Sequence, residues 1–178
     1  MSAPAPARPE SNEYASYYEK YVSLVPDGEV VETLERQGAE TLALLRAVPE
    51  GRGGYAYEPG KWSVKQVVGH VIDAERVFSY RALRFARGDR TPLPGFEQDV
   101  FNSGANFDGR TLSSLAEEFE AVRRSTLELL RHLSPEAWQR RGTASDSEVT
   151  VRALAYIIAG HEAHHVRVLR ERYLRGEG

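Results

Sequence analysis

The sequence predicts an all-α protein, a four-helix bundle with one long crossover loop. Three observations carry this. Four segments repeat apolar residues at three- and four-residue steps, the spacing of one face of an α-helix. Pro, Gly or polar clusters separate those segments. No segment alternates apolar and polar residues in the way a half-buried strand does.

The elements follow in order. Residues 1–12, rich in Ala, Pro and Ser, read as a disordered tail, and the domain is expected over 13–175. Tyr14, Tyr17, Tyr18 and Tyr21 predict a short helix that lays its rings on the main body, with packing favoured over a substrate platform. Asp27 is placed to cap a helix over 29–48, whose stripe is Val31, Leu34, Gly38, Thr41, Leu42 and Leu45. Pro49 and the run Gly51-Arg52-Gly53-Gly54 end it. Ser63 with Gln66 forms a capping box, and Val64, Val67, Val71, Ala74, Phe78 and Ala82 continue as a second helix up to Gly88. Residues 89–110 form the crossover, with one short helical turn near Phe96–Phe101. Thr111 caps a third helix, with its stripe running from Leu112 to Leu133. Ser134-Pro135-Glu136 starts a brief turn with Pro in the favoured first position. The polar segment 140–149 reads as a loop, and Thr150 opens the last helix, about 151–174.

Composition narrows the function. A chain of 178 residues suits one domain with a real core. The net charge is -3, and Arg alternates with acids rather than forming basic blocks. Nucleic-acid and anionic-membrane partners are therefore excluded. The absence of cysteine excludes disulfides, thiolate nucleophiles and Cys-ligated zinc, so any thiol in the chemistry belongs to the substrate. Neither a signal peptide nor a membrane span of about 20 apolar residues is evident, which makes a cytoplasmic location the default.

The chemistry lies in the histidines. His161 and His165 share one face of the last helix, a turn apart, in the core stripe Leu154, Ile158, His161, His165, Val168. Two imidazoles so placed can share one metal ion. A third ligand is needed. His132 lies near the end of the third helix, and His164 sits about one residue off the shared face. His70 is inward-facing and mid-helix, and it is preferred. The spelling His161-Glu162-Ala163-His164-His165 also matches the zinc-protease helix signature, with Glu162 as base. That reading is set aside. Only thirteen residues follow His165, too few for the usual third ligand, and Glu162, about 100° around the helix from His161, is expected to face solvent.

Several phrases together resemble the DinB-like superfamily (the DinB/YfiT group of damage-inducible, metal-binding proteins). They are Lys61-Trp62-Ser63-Val64, Gly69-His70, Glu75-Arg76, the run Arg81 to Asp89, Leu93-Pro94-Gly95-Phe96, and Ile157 to His165. The resemblance spans about 14–174. It implies an up-down-down-up bundle, commonly a homodimer, holding a divalent ion such as zinc or nickel. It implies His70, His161 and His165 as the three ligands. It further implies a stress-related metal protein whose relatives include transferases using bacillithiol or mycothiol.

The leading expectation is thus a metal-dependent S-transferase that brings a low-molecular-weight thiol to a small electrophile. The alternatives are a hydrolase using metal-bound water and a non-enzymatic stress protein with a structural metal. Asp73 and Asp99 are the candidate proton-handling groups, and Asn102 is a candidate substrate contact.

Overall fold

The computed structural model describes residues 7–175. Its helices are α1 (Glu19–Val22), α2 (Val30–Ala47), α3 (Val64–Ala86), α4 (Gln98–Gly104), α5 (Leu112–Arg131), α6 (Pro135–Gln139) and α7 (Val151–Val168). A two-stranded hairpin, β1 (Arg141–Ala144) and β2 (Ser147–Thr150), precedes α7. Among the described residues no helix is long and apolar enough to cross a membrane.

The starts of α3, α5, α6 and α7 are set by short polar side chains. Ser63 Oγ accepts the Gln66 N–H, and Gln66 Oε1 accepts the Ser63 N–H, which completes the predicted capping box. Thr111, Ser134 and Thr150 accept from the N–H three residues on, at the starts of α5, α6 and α7. Asp27 does not cap α2; its carboxylate accepts from Arg8 instead.

Helix directions follow from what the ends touch. Arg52, just past α2, donates to the Tyr173 carbonyl beyond α7, so α2 and α7 are parallel. Glu50 accepts the Leu112 N–H at the start of α5, so α2 and α5 are antiparallel. The Tyr173 hydroxyl donates to the Trp62 carbonyl ahead of α3, so α3 opposes α7. Ser63 donates to Asp108 ahead of α5, so α3 and α5 run together. This is the up-down-down-up bundle, and α2 packs chiefly on α5 while α3 packs chiefly on α7. Parallel neighbours explain the crossover, because the chain must return along a helix of 23 residues, about 35 Å, before α5 begins.

The core is apolar at both ends and polar in between. One buried cluster gathers Val30 and Leu34 of α2, Ala74 to Ala86 of α3, Leu127 and Leu130 of α5, and 151–159 of α7. The other gathers Leu45, 64–72 of α3, 112–122 of α5, and Leu169 and Tyr173. Between them lie His70, Glu75, Arg123, Thr126, His161 and Glu162, all buried.

Three expectations need correction. The segment 140–149 is not an irregular loop: Arg141–Ala144 pairs antiparallel with Ser147–Thr150. Its turn residues, Ser145 and Asp146, both take φ > 0 without the Gly or Asn that usually marks such a turn, so the usual signal was missing. Residues 7–12 are not a free tail. Arg8 donates to the carbonyls of Val22 and Val25, and Glu10 opens a helical turn over Ser11–Glu13. Residues 1–6 of that expected tail lie outside the described residues. The last helix is α-helical only to Val168, and a π-helical turn, Leu169–Tyr173, carries it to its end.

Candidate metal centre

His70 comes from the middle of α3, and His161 and His165 come from the last turns of α7. One nitrogen of each ring lies within 4.8 Å of the others. The Nε2 atoms of His70 and His161 face each other at 3.0 Å. At most one hydrogen fits between two such nitrogens, so at least one lone pair points into the gap. Ligands of a tetrahedral zinc ion sit roughly 3.4 Å apart, given bonds near 2.05 Å. The donor set therefore fits a divalent ion with little movement.

The electrostatics suit the same role. Burial lowers all three pKa values, because charging an imidazole away from water is costly. His70 is brought down to about 4, with Asp99 opposing the shift, and His165 to about 3. His161 is pushed well below its ordinary value, chiefly by burial. The rings are neutral at pH 7 and free to act as ligands.

Neighbouring rings fix the site's shape. Trp62 tilts against His70, and Phe78 meets His161 edge-on. Tyr21 lies against both His161 and His164. The close approach of Tyr21 depends on Gly160, where a Cβ would fall 2.0 Å from the Tyr21 carbonyl oxygen. His164 is half-buried and stands beside the ligand group rather than in it. His132 is exposed at the end of α5.

A cleft of about 530 Å³ opens onto His70 and His161. Tyr17, Tyr18 and Tyr21 form one wall, and Phe78 and Phe96 another. The tyrosine segment thus both packs on the body and lines the cleft. The far wall joins the crossover, Gly95 to Asp99, to the hairpin turn. Arg81, 2% exposed, clamps these two loops together by donating to the Pro94 carbonyl and to Ser145 Oγ. Leu93 pairs with the hairpin through its own N–H and carbonyl.

The three other candidate residues separate. Asp99 lines the cleft. Asn102 is buried and donates to the Gln66 carbonyl, pinning α4 to α3. Asp73 faces Arg76 at 3.9 Å, with burial raising its pKa, and it is not among the residues lining the cleft.

Glu162 overturns the expectation of a solvent-facing residue: it is 1% exposed. Its Oε2 accepts from Arg123 Nη2 at 2.6 Å. The same guanidinium donates from Nε and Nη2 to both oxygens of Glu75, at 2.9 and 2.8 Å, and from Nη1 to the Leu34 carbonyl at 2.8 Å. Burial raises the Glu162 pKa against the pull of Arg123, while the two carboxylates hold Arg123 protonated against its own burial. Glu75 and Arg123 escaped the reading of the sequence as site residues. A signal existed, because both charges occupy core-stripe positions, Glu75 four residues after Val71 and Arg123 four after Phe119.

The comparisons agree with this architecture. No curated protein matches the chain. Among solved structures the chain is similar to YfiT from Bacillus subtilis, described as a probable metal-dependent hydrolase with an unusual four-helix bundle topology. The TM-score is 0.72 at 17% identity, and the match covers 98% of this chain and 96% of that one. At that identity the likeness speaks for the fold alone. The family model of the DinB superfamily matches residues 33–169, from early α2 to just past the end of α7, and the chain belongs to the DinB superfamily.

Proposed function

We propose that the protein is a metal-dependent hydrolase of small molecules, with His70, His161 and His165 as the ligands of a divalent ion. The observation that carries this reading is the cleft that reaches His70 and His161 of the histidine group and carries Asp99 on its wall. A bound divalent ion would supply Lewis acidity, which turns water, or an imported thiol, into a nucleophile near neutral pH.

The chain's own residues do the rest. The three neutral imidazoles present lone pairs and bring no charge of their own. Asp99 is the base that the sequence could not single out. It lies on the cleft wall, and its charge acts on His70. A carboxylate there accepts a proton from a nucleophile entering the cleft. Phe78, Phe96 and the tyrosines exclude water and receive the apolar part of a substrate. YfiT's description as a probable metal-dependent hydrolase supports the same reading.

S-transfer from a low-molecular-weight thiol is the second reading. It is favoured by the absence of cysteine and by an aromatic cleft with room for two reactants. One experiment separates the two. The protein is loaded with zinc or with nickel and given activated esters and amides, then bacillithiol with a model electrophile. Turnover without thiol, lost in His70→Ala and reduced about 100-fold or more in Asp99→Asn, supports hydrolysis. Turnover only with thiol supports S-transfer. The homodimer implied by the resemblance belongs to this proposal too. Exposed Tyr80 and Leu83 on α3 offer an apolar surface for it, and light scattering tests it.

A further inference from the structure

Arg123 touches all four long helices at one level. It sits on α5, binds Glu75 on α3 and Glu162 on α7, and reaches the Leu34 carbonyl on α2. Its side chain is 4% exposed, and those of its two carboxylate partners are 3% and 1% exposed. α2 makes room for it with Gly38, where a Cβ would fall 2.9 Å from Arg123 Cγ. Both acids belong to the ligand-bearing helices. Glu162 is the residue after His161, and Glu75 lies little more than one turn beyond His70. A gap with no room for water separates the carboxylates from the His161 ring, walled by Val71, Glu75, Phe78, Ile158, His161 and Glu162.

We infer that Arg123 is a positioning residue for the metal centre: by bridging Glu75 and Glu162 it sets the spacing of α3 and α7 at which His70 and His161 meet. Apolar packing alone is a poor way to hold that spacing. Leucine-like contacts tolerate sliding, whereas a guanidinium fork accepts its carboxylates in only a few geometries. A buried charge left without its partner is also strongly unfavourable, so the helices cannot drift apart singly. The glutamate of the H-E-x-x-H spelling therefore points away from the reaction and holds the scaffold.

This inference rests on the metal reading above, and its test keeps the two apart. Co2+ is titrated into the metal-free protein, and affinity and the visible ligand-field spectrum are recorded. Three variants are compared with the parent. Glu162→Gln keeps the shape and one hydrogen bond. The triple replacement Glu75→Leu, Arg123→Met, Glu162→Leu removes the three charges of this cluster together, an exchange that is often neutral for stability. Leu130→Ala lowers stability in an apolar cluster at a site two turns, roughly 10 Å, along α5 from Arg123.

The expected result is Co2+ binding weakened about 10- to 100-fold in the triple variant and to a lesser degree in Glu162→Gln, with a changed spectrum. Leu130→Ala should keep both the parental affinity and the parental spectrum. A folded triple variant with parental affinity and spectrum overturns the inference. Equal weakening in Leu130→Ala overturns it as well, since general loosening would then be the cause. A parent protein that binds no Co2+ removes the metal reading itself, and the inference falls with it.

Discussion

The Nε2 of His161 meets another imidazole nitrogen, the Nε2 of His70, at 3.0 Å. Nitrogens whose basicity is suppressed by burial repel rather than satisfy one another unless a proton or a cation lies between them. On the proposed metal reading, replacing one of these histidines should remove the ion and spare the fold, because each long helix buries its own apolar face. His165→Ala is expected to weaken zinc binding by more than about 100-fold while the far-UV circular dichroism of the metal-free protein stays unchanged. Collapse of the helical signal on chelation would instead mark the metal as structural. The histidine pair was legible in the sequence because i, i+4 spacing is a property of the helix itself. The direction of Glu162 was not, since the residue after His161 meets solvent or core according to where the neighbouring helices lie.

The elements hold one another by a few close contacts whose strengths differ. Ser63 is the start of α3, and its loss removes one capping bond and the link to Asp108. Ser63→Ala should cost about 1 kcal/mol in urea unfolding. Gly160 is a harsher site. The atom facing it is backbone, the Tyr21 carbonyl oxygen, which cannot rotate aside. Gly160→Ala should cost about 1–3 kcal/mol and displace α1 from α7, with a change in the fluorescence of the tyrosines that line the cleft. The caps were readable from sequence, as at Ser63, Thr111, Ser134 and Thr150, because a cap acts within three residues. The hairpin was not. Each strand has four residues, and Gly142 is there because Phe85 of α3 lies over it.

For the whole molecule, the N-terminal segment closes the bundle through one buried ion pair. Thr150 Oγ1 and Arg152 Nε donate to Glu13 at 2.8 and 2.6 Å. Burial would raise the Glu13 carboxyl, but Arg152 and Thr150 outweigh it and hold the group below its ordinary 4.5. A depressed acid contributes its stability above the unfolded value and loses it as pH falls through the folded one. The protein should thus lose stability on acidification below about pH 4.5. Glu13→Gln should flatten that part of the profile, measured by urea unfolding between about pH 3 and pH 7. A parallel fall in both proteins would show that other carboxylates dominate.

The sequence by itself determined the four helices, the caps at Ser63, Thr111 and Thr150, the crossover and a histidine pair on one helical face. Each of these depends on periodicity or on contacts within a few residues. The DinB-like phrases strengthened the choice of His70 as the expected third member of that group and implied the bundle's direction. Only the tertiary structure decided that the core is cut by a polar layer, that Arg123 joins all four helices there, that the tyrosine segment and crossover wall a cleft, and that Asp99 rather than Asp73 lines it. The physical reason is distance along the chain. Arg123 and Glu75 are 48 residues apart, and Arg81 and Ser145 are 64 apart. Such partners are chosen by the packing angle and register of whole helices, and no local pattern records them.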